Sequence, residues 1–150
     1  MELVEEVRSW LIQEKIGFIS EVDLLQLVDK KIAELDKPPD YLISISLKER
    51  IDHIPRLDLL KDRIENNDCA IVAKKMLSAL HDNTASYNDI GSYSLKMCKF
   101  LASQDRPYLD FLWIDDEVHL MNEGLKENKQ SKKDIDDVLA KLSTLKQVFK

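Results

Sequence analysis

The stretch Lys37-Pro38-Pro39-Asp40-Tyr41-Leu42-Ile43-Ser44-Ile45-Ser46-Leu47 decides how this chain is read. Neither proline carries a backbone N–H, and the residue before each is pushed out of helical dihedrals, so a helix arriving from the N-terminal side must stop here. The run that follows is the most apolar short segment of the chain. Its alternation Ile43-Ser44-Ile45-Ser46-Leu47 fits a strand on spacing alone. A strand needs a partner, however, and no other alternating segment stands at hairpin spacing. The run is therefore read as a short buried helix capped by Asp40, and the chain as all-α.

Working outward, Leu25, Val28, Ile32 and Leu35 recur at helical spacing before the prolines, and Ser20 with Asp23 supplies a start signal. Leu3, Val7, Trp10 and Leu11 form an earlier stripe that ends near Gly17, a residue suited to the positive φ that closes a helix. Beyond the apolar run, Pro55 opens a helix with Leu57, Leu60 and Ile64 inward, broken at Asn66-Asn67-Asp68, and the next carries Cys69, Val72, Met76 and Leu80. Asn83-Thr84-Ala85-Ser86 interrupts the pattern. Ser86 and Asp89 then start a helix whose inner face is Ile90, Ser94 or Tyr93, Met97 and Leu101. Asp105-Arg106-Pro107 opens a long helix. After a polar loop over Glu123–Ser131, Ser131 starts a last one with Ile135, Val138, Leu139, Leu142, Leu145 and Phe149 inward. Asp134, Asp136 and Asp137 near its beginning and Lys146 and Lys150 near its end suit the helix dipole. The expected architecture is a compact single-domain bundle over residues 1–150, with about seven to eight helices and no solenoid repeat or dividing linker.

With 44% apolar residues in 150, such a bundle closes its core without a metal or a disulfide. The 28 acidic and 22 basic residues leave a net charge of −6, and the basic pairs Lys30-Lys31, Lys74-Lys75 and Lys132-Lys133 each sit near acids. No concentrated basic footprint exists for a phosphate backbone, so nucleic acid is excluded as a partner and a basic protein is favoured. No apolar run reaches membrane length, and the acidic Met-Glu-Leu-Val-Glu-Glu-Val-Arg start is not a secretory signal, so the expected address is cytoplasmic.

The search for chemistry returns little. Gly17, Gly91 and Gly124 are too scattered for a phosphate-cradling loop, so no nucleotide cofactor is expected. Cys69 and Cys98 form no CxxC and are read as small buried apolar residues. Asp115, Asp116, His119 and Glu123 have the best metal-ligand spacing, but a di-metal bundle needs a second acid-x-x-His motif, which His53 and His81 do not supply. They are read as a solvated acidic face, and the expectation is no catalytic, cofactor or metal residue.

The long helix is unusual in carrying two apolar stripes, Phe111, Ile114, Val118, Met121 and Leu125 on one side and Leu109, Trp113 and Leu120 on the other. One reading is a central helix packed from both sides. The other is a binding face in which Trp113 stands partly exposed among Asp110, Asp116 and Glu117, the aromatic providing area and the acids orienting a partner.

Residues 20–47, from Ser20-Glu21-Val22-Asp23-Leu24-Leu25 through the acid-ended helix, Pro38-Pro39, Tyr41 and the Ser-Leu run, resemble a recurrent N-terminal pattern of small all-helical bacterial immunity-like proteins. The resemblance covers under a third of the chain and carries over no functional residue. It implies a protein that binds a secreted toxin stoichiometrically and blocks it. Charge agrees with that implication, because an acidic inhibitor complements a basic toxin surface. The functional expectation is thus a non-enzymatic protein-binding domain, foremost an immunity-type inhibitor. The alternative is a self-associating adaptor or structural subunit, and the third reading is an enzyme with an unrecognised helical active site.

Overall fold

The computed structural model describes residues 2–47 and 64–145, and these form seven α-helices with no strand among them. The helices are α1 (Leu3–Lys15), α2 (Glu21–Glu34), α3 (Asp40–Ser46), α4 (Asn66–His81), α5 (Tyr87–Met97), α6 (Arg106–Asn122) and α7 (Asn128–Leu142). The fold is all-α, and no described helix is long and apolar enough to cross a membrane. Contacts gather the chain into two compact units, Met1–Arg63 and Ile64–Lys150. The helix read at Pro55, Leu57 and Leu60 lies outside the described residues, as do His53, Lys146, Phe149 and Lys150.

In the first unit, α1 ends as Gly17 predicts. The glycine has φ +84°, and the Phe18 and Gly17 N–H groups donate back to the carbonyls of Gln13 (2.8 Å) and Glu14 (3.1 Å). This reversal satisfies carbonyls that the helix end would leave orphaned, in a conformation where any other residue's Cβ is strained. Ser20 and Asp23 form the expected reciprocal capping box, each side chain accepting the other's backbone N–H at 3.1 Å. The buried line of α2 runs through Leu24 and Val28, whereas Leu25, Ile32 and Leu35 of the expected stripe are only half-buried. Ser46 Oγ donates to Asp29 Oδ1 at 2.6 Å and so ties α3 to α2, while Lys31 reaches Glu6 across to α1 at 3.6 Å.

The segment after the prolines is a helix, but two details of its reading are corrected. Pro39, not Asp40, occupies the N-cap position, leaving the cap without a side-chain acceptor. The run is also a one-sided plug, because a helix turns each residue by about 100° and only part of a uniformly apolar run can face inward. Leu42 and Ile45 are buried, while Ile43 and Leu47 are 41% and 67% exposed.

In the second unit, α5 and α6 make the most extensive pairing, with α7 lying against both α4 and α6. Asn66-Asn67-Asp68 begins a helix where a break was expected: the buried Asp68 accepts the Glu65 N–H at 2.9 Å, which closes the first turn of α4. Cys69, Val72 and Met76 are buried as read, and Leu80 is half-buried. Ser86 and Asp89 cap α5 reciprocally at 3.1 and 3.0 Å. That helix ends at Met97 in a short 3₁₀ turn, Cys98–Phe100, which leaves Leu101 outside it and only half-buried. Asp105 precedes α6 and Pro107 lies in its first turn, where the missing N–H costs nothing. Two more corrections fall at its far end. Leu125 lies past the helix, beyond the positive φ of Gly124, and is 67% exposed. The last helix starts at Asn128, so Ser131 is a buried residue of α7 and not its cap.

Gly91 explains how α5 and α6 approach so closely. A Cβ placed there would stand 3.1 Å from the Cβ of Val118 and 3.2 Å from both its γ carbons. Phe111, Ile114 and Val118 then bury the inner face of α6, each contributing about 1.5–3 kcal/mol relative to exposure.

Candidate functional site

Helix α6 has two apolar faces with different fates. Phe111, Ile114, Val118 and Met121 are buried. On the other side Leu109, Trp113, Asp116 and Leu120 follow spacings of four, three and four, which stacks them in one line along the helix. Leu109 is 48% exposed, Trp113 and Leu120 are half-buried, and Asp116 is exposed. The line is an apolar ridge with one free carboxylate beside the tryptophan.

The expected ring of acids around Trp113 is corrected by burial. Asp116 belongs to it, but Asp110 and Glu117 are buried on the neighbouring flank of the helix. Asp110 faces Arg106 one turn earlier, 3.3 Å between Oδ1 and Nε. Glu117 is 1% exposed, and both its oxygens are taken: Lys126 Nζ donates to Oε2 at 2.8 Å and Ser131 Oγ to Oε1 at 3.0 Å. A carboxylate that far from water persists only when charge and hydrogen bonds replace its hydration. Glu117 therefore pins the loop after α6 and the start of α7 onto α6.

Against α5 the same helix borders a shallow groove of about 320 Å³, with Gly91, Val118 and Leu95 as apolar lining and Asn88, Asn122, Asp115 and His119 as polar lining. The Asn122 amide donates to Asn88 Oδ1 at 2.7 Å, and His119 Nε2 stands 3.5 Å from Asp115 Oδ1. Burial raises the Asp115 carboxyl above its ordinary value, opposed by His119 and reinforced by Asp116. Past the asparagine pair, a second and more polar recess includes Tyr87, whose hydroxyl donates to Asp136 at 3.0 Å and whose ring lies 5.3 Å below Lys132 Nζ.

The remaining candidates offer no reacting group. Burial pushes the Cys69 thiol up to about 12, with Asp68 and Asp105 adding to it, and the half-buried Cys98 up to about 11. Thiols held that high are protonated near neutrality and poor nucleophiles. Of the best-spaced metal set, Asp115 and His119 meet, while Asp116 and Glu123 are exposed, and no three His, Cys, Asp or Glu side chains among the described residues converge on one ion position. Sequence reasoning missed the Glu117 clasp and the Gly91–Val118 contact. The first joins residues nine and fourteen apart with no periodic signal, and the second is visible only as a glycine inside a helix.

No family model, curated protein or solved structure matches this chain.

Proposed function

We propose that this is a non-enzymatic protein-binding domain, an immunity-type inhibitor that binds and neutralises a basic bacterial toxin domain in the cytoplasm through the outer ridge of α6. The observation that carries the reading is the line Leu109–Trp113–Leu120 left at the surface beside Asp116. A half-buried tryptophan already has its rotamer restrained, so a partner gains its area at small entropic cost, and the adjacent acid orients a basic surface. The net charge of −6 and the resemblance of residues 20–47 to immunity-like proteins support the same partner class.

The test is binding to the product of a toxin-like reading frame beside this protein's own, measured by calorimetry. The expected result is a one-to-one complex whose association slows with salt, weakened about thirtyfold or more by Trp113→Ala, the cost of losing a hot spot of about 2 kcal/mol. Asp116→Asn should chiefly lower the association rate. A complex indifferent to Trp113→Ala would move the interface elsewhere. Absence of any such partner, together with a tight homo-oligomer that buries Trp113 in light scattering, would replace this reading with the self-associating subunit.

A further inference from the structure

We propose that the groove between α5 and α6 receives one arginine side chain of the partner protein, as a second anchor point beside the ridge. The inference rests on the protein-binding reading and begins from the four acids of α6. Asp110 is met by Arg106, Glu117 by Lys126 and Ser131, and Asp116 lies in water. Asp115 differs from all three. It is buried like Asp110 and Glu117, yet its ionic contact among the described residues is His119 alone, an exposed imidazole at 3.5 Å that carries charge only when protonated. A buried carboxylate without a permanently charged partner is an incomplete arrangement, and a permanent cation from outside would complete it.

The surroundings select the kind of cation. Val118, Gly91 and Leu95 offer an apolar track for a long aliphatic stem, and Leu95 is 45% exposed. The other end of the groove, about two helical turns from Asp115, is closed by the Asn122 amide donating to Asn88 Oδ1. At Asp115 a planar guanidinium can pair bidentately with the carboxylate and sheds its water more readily than an ammonium, which is a compact, strongly hydrated point charge. Burial keeps the Asp115 carboxyl harder to ionise than an ordinary aspartate, and a guanidinium seated on it would reverse that penalty.

The test uses the full chain at low salt and N-acetyl-arginine-methylamide as probe, followed by amide shifts in two-dimensional NMR. Saturable shifts should be confined to residues 88–95 and 115–122, with a Kd on the order of millimolar for one side chain. The acetylated lysine analogue should bind at least threefold more weakly. Asp115→Asn should abolish the shifts, and Asp116→Asn, which changes the net charge equally, should leave them in place. Shifts spread over the acidic surface, or unchanged in Asp115→Asn, would overturn the proposal. So would groove shifts produced by Zn²⁺ at micromolar concentration with none from the arginine probe, which would make the pair a metal site. If the toxin-like partner binds and Trp113→Ala weakens it while the arginine probe fails, only this inference falls and the protein-binding reading stands.

Discussion

The two units solve the same problem, burying one side of several helices, with different materials. In the first, the polar groups inside are neutral and satisfied close by: buried Gln13 donates to buried Ser9 one turn away at 2.7 Å, and the charged contacts such as Lys31–Glu6 lie toward the surface. In the second, carboxylates go inside; Asp68, Asp110 and Asp115 find contacts within a turn of their own helix, while Glu117 draws Lys126 and Ser131 from other segments. The difference teaches where a helix is legible. Apolar periodicity announces the inner face of a helix such as α6, through Phe111, Ile114, Val118 and Met121, while the acids buried beside that face leave no mark in the period.

The sharpest way to break the comparison is Lys126→Met, which leaves Glu117 charged and buried with Ser131 as its remaining donor. A loss of about 2–3 kcal/mol is expected in urea unfolding, below the cost of breaking a fully buried pair because water reaches Lys126. Glu117→Gln should cost only about 1 kcal/mol, since Lys126 swings into solvent and the amide still accepts from Ser131. Adding Glu117→Gln to Lys126→Met should recover part of the loss. If the two single variants cost the same, Glu117 is not the buried anion described here.

Next in size, Gly91→Val should cost about 2 kcal/mol by overpacking the α5–α6 contact. Val118→Ala in the same chain should restore part of that, because the clash is with Val118 itself. An unchanged urea midpoint would mean the helices part freely, and the groove beside them would lose its fixed floor.

The smallest effects compare what the two units have in common. Ser20→Ala and Ser86→Ala remove matching capping boxes, and each should cost about 1 kcal/mol. Hydrogen exchange should show protection falling first in the unit that carries the substitution. Equal loss in both units from either variant would instead mark one cooperative domain over residues 1–150.

Much of the architecture stood in the chain. The Ser20 and Ser86 caps, the Gly17 stop, the proline break and the core positions Val28, Met76, Ile90, Phe111 and Ile114 are local consequences of backbone chemistry and helical period. Of the residues expected around the binding face, Trp113 is half-buried and Asp116 exposed, whereas Asp110 and Glu117 are buried. Nothing local distinguishes Asp116 from Glu117, one residue apart on the same helix.

By itself, then, the sequence determined that the chain is helical, where most helices begin and end, and that its surplus charge is acidic, because these follow from residues within one or two turns of each other. Only the tertiary structure decided which acids of α6 are inside, that Ser131 is a buried donor and not a cap, and that Asp115 is left beside a groove with an imidazole for company. Those outcomes depend on which side chain of a distant segment arrives within 3 to 4 Å, and one-dimensional spacing holds no record of that distance.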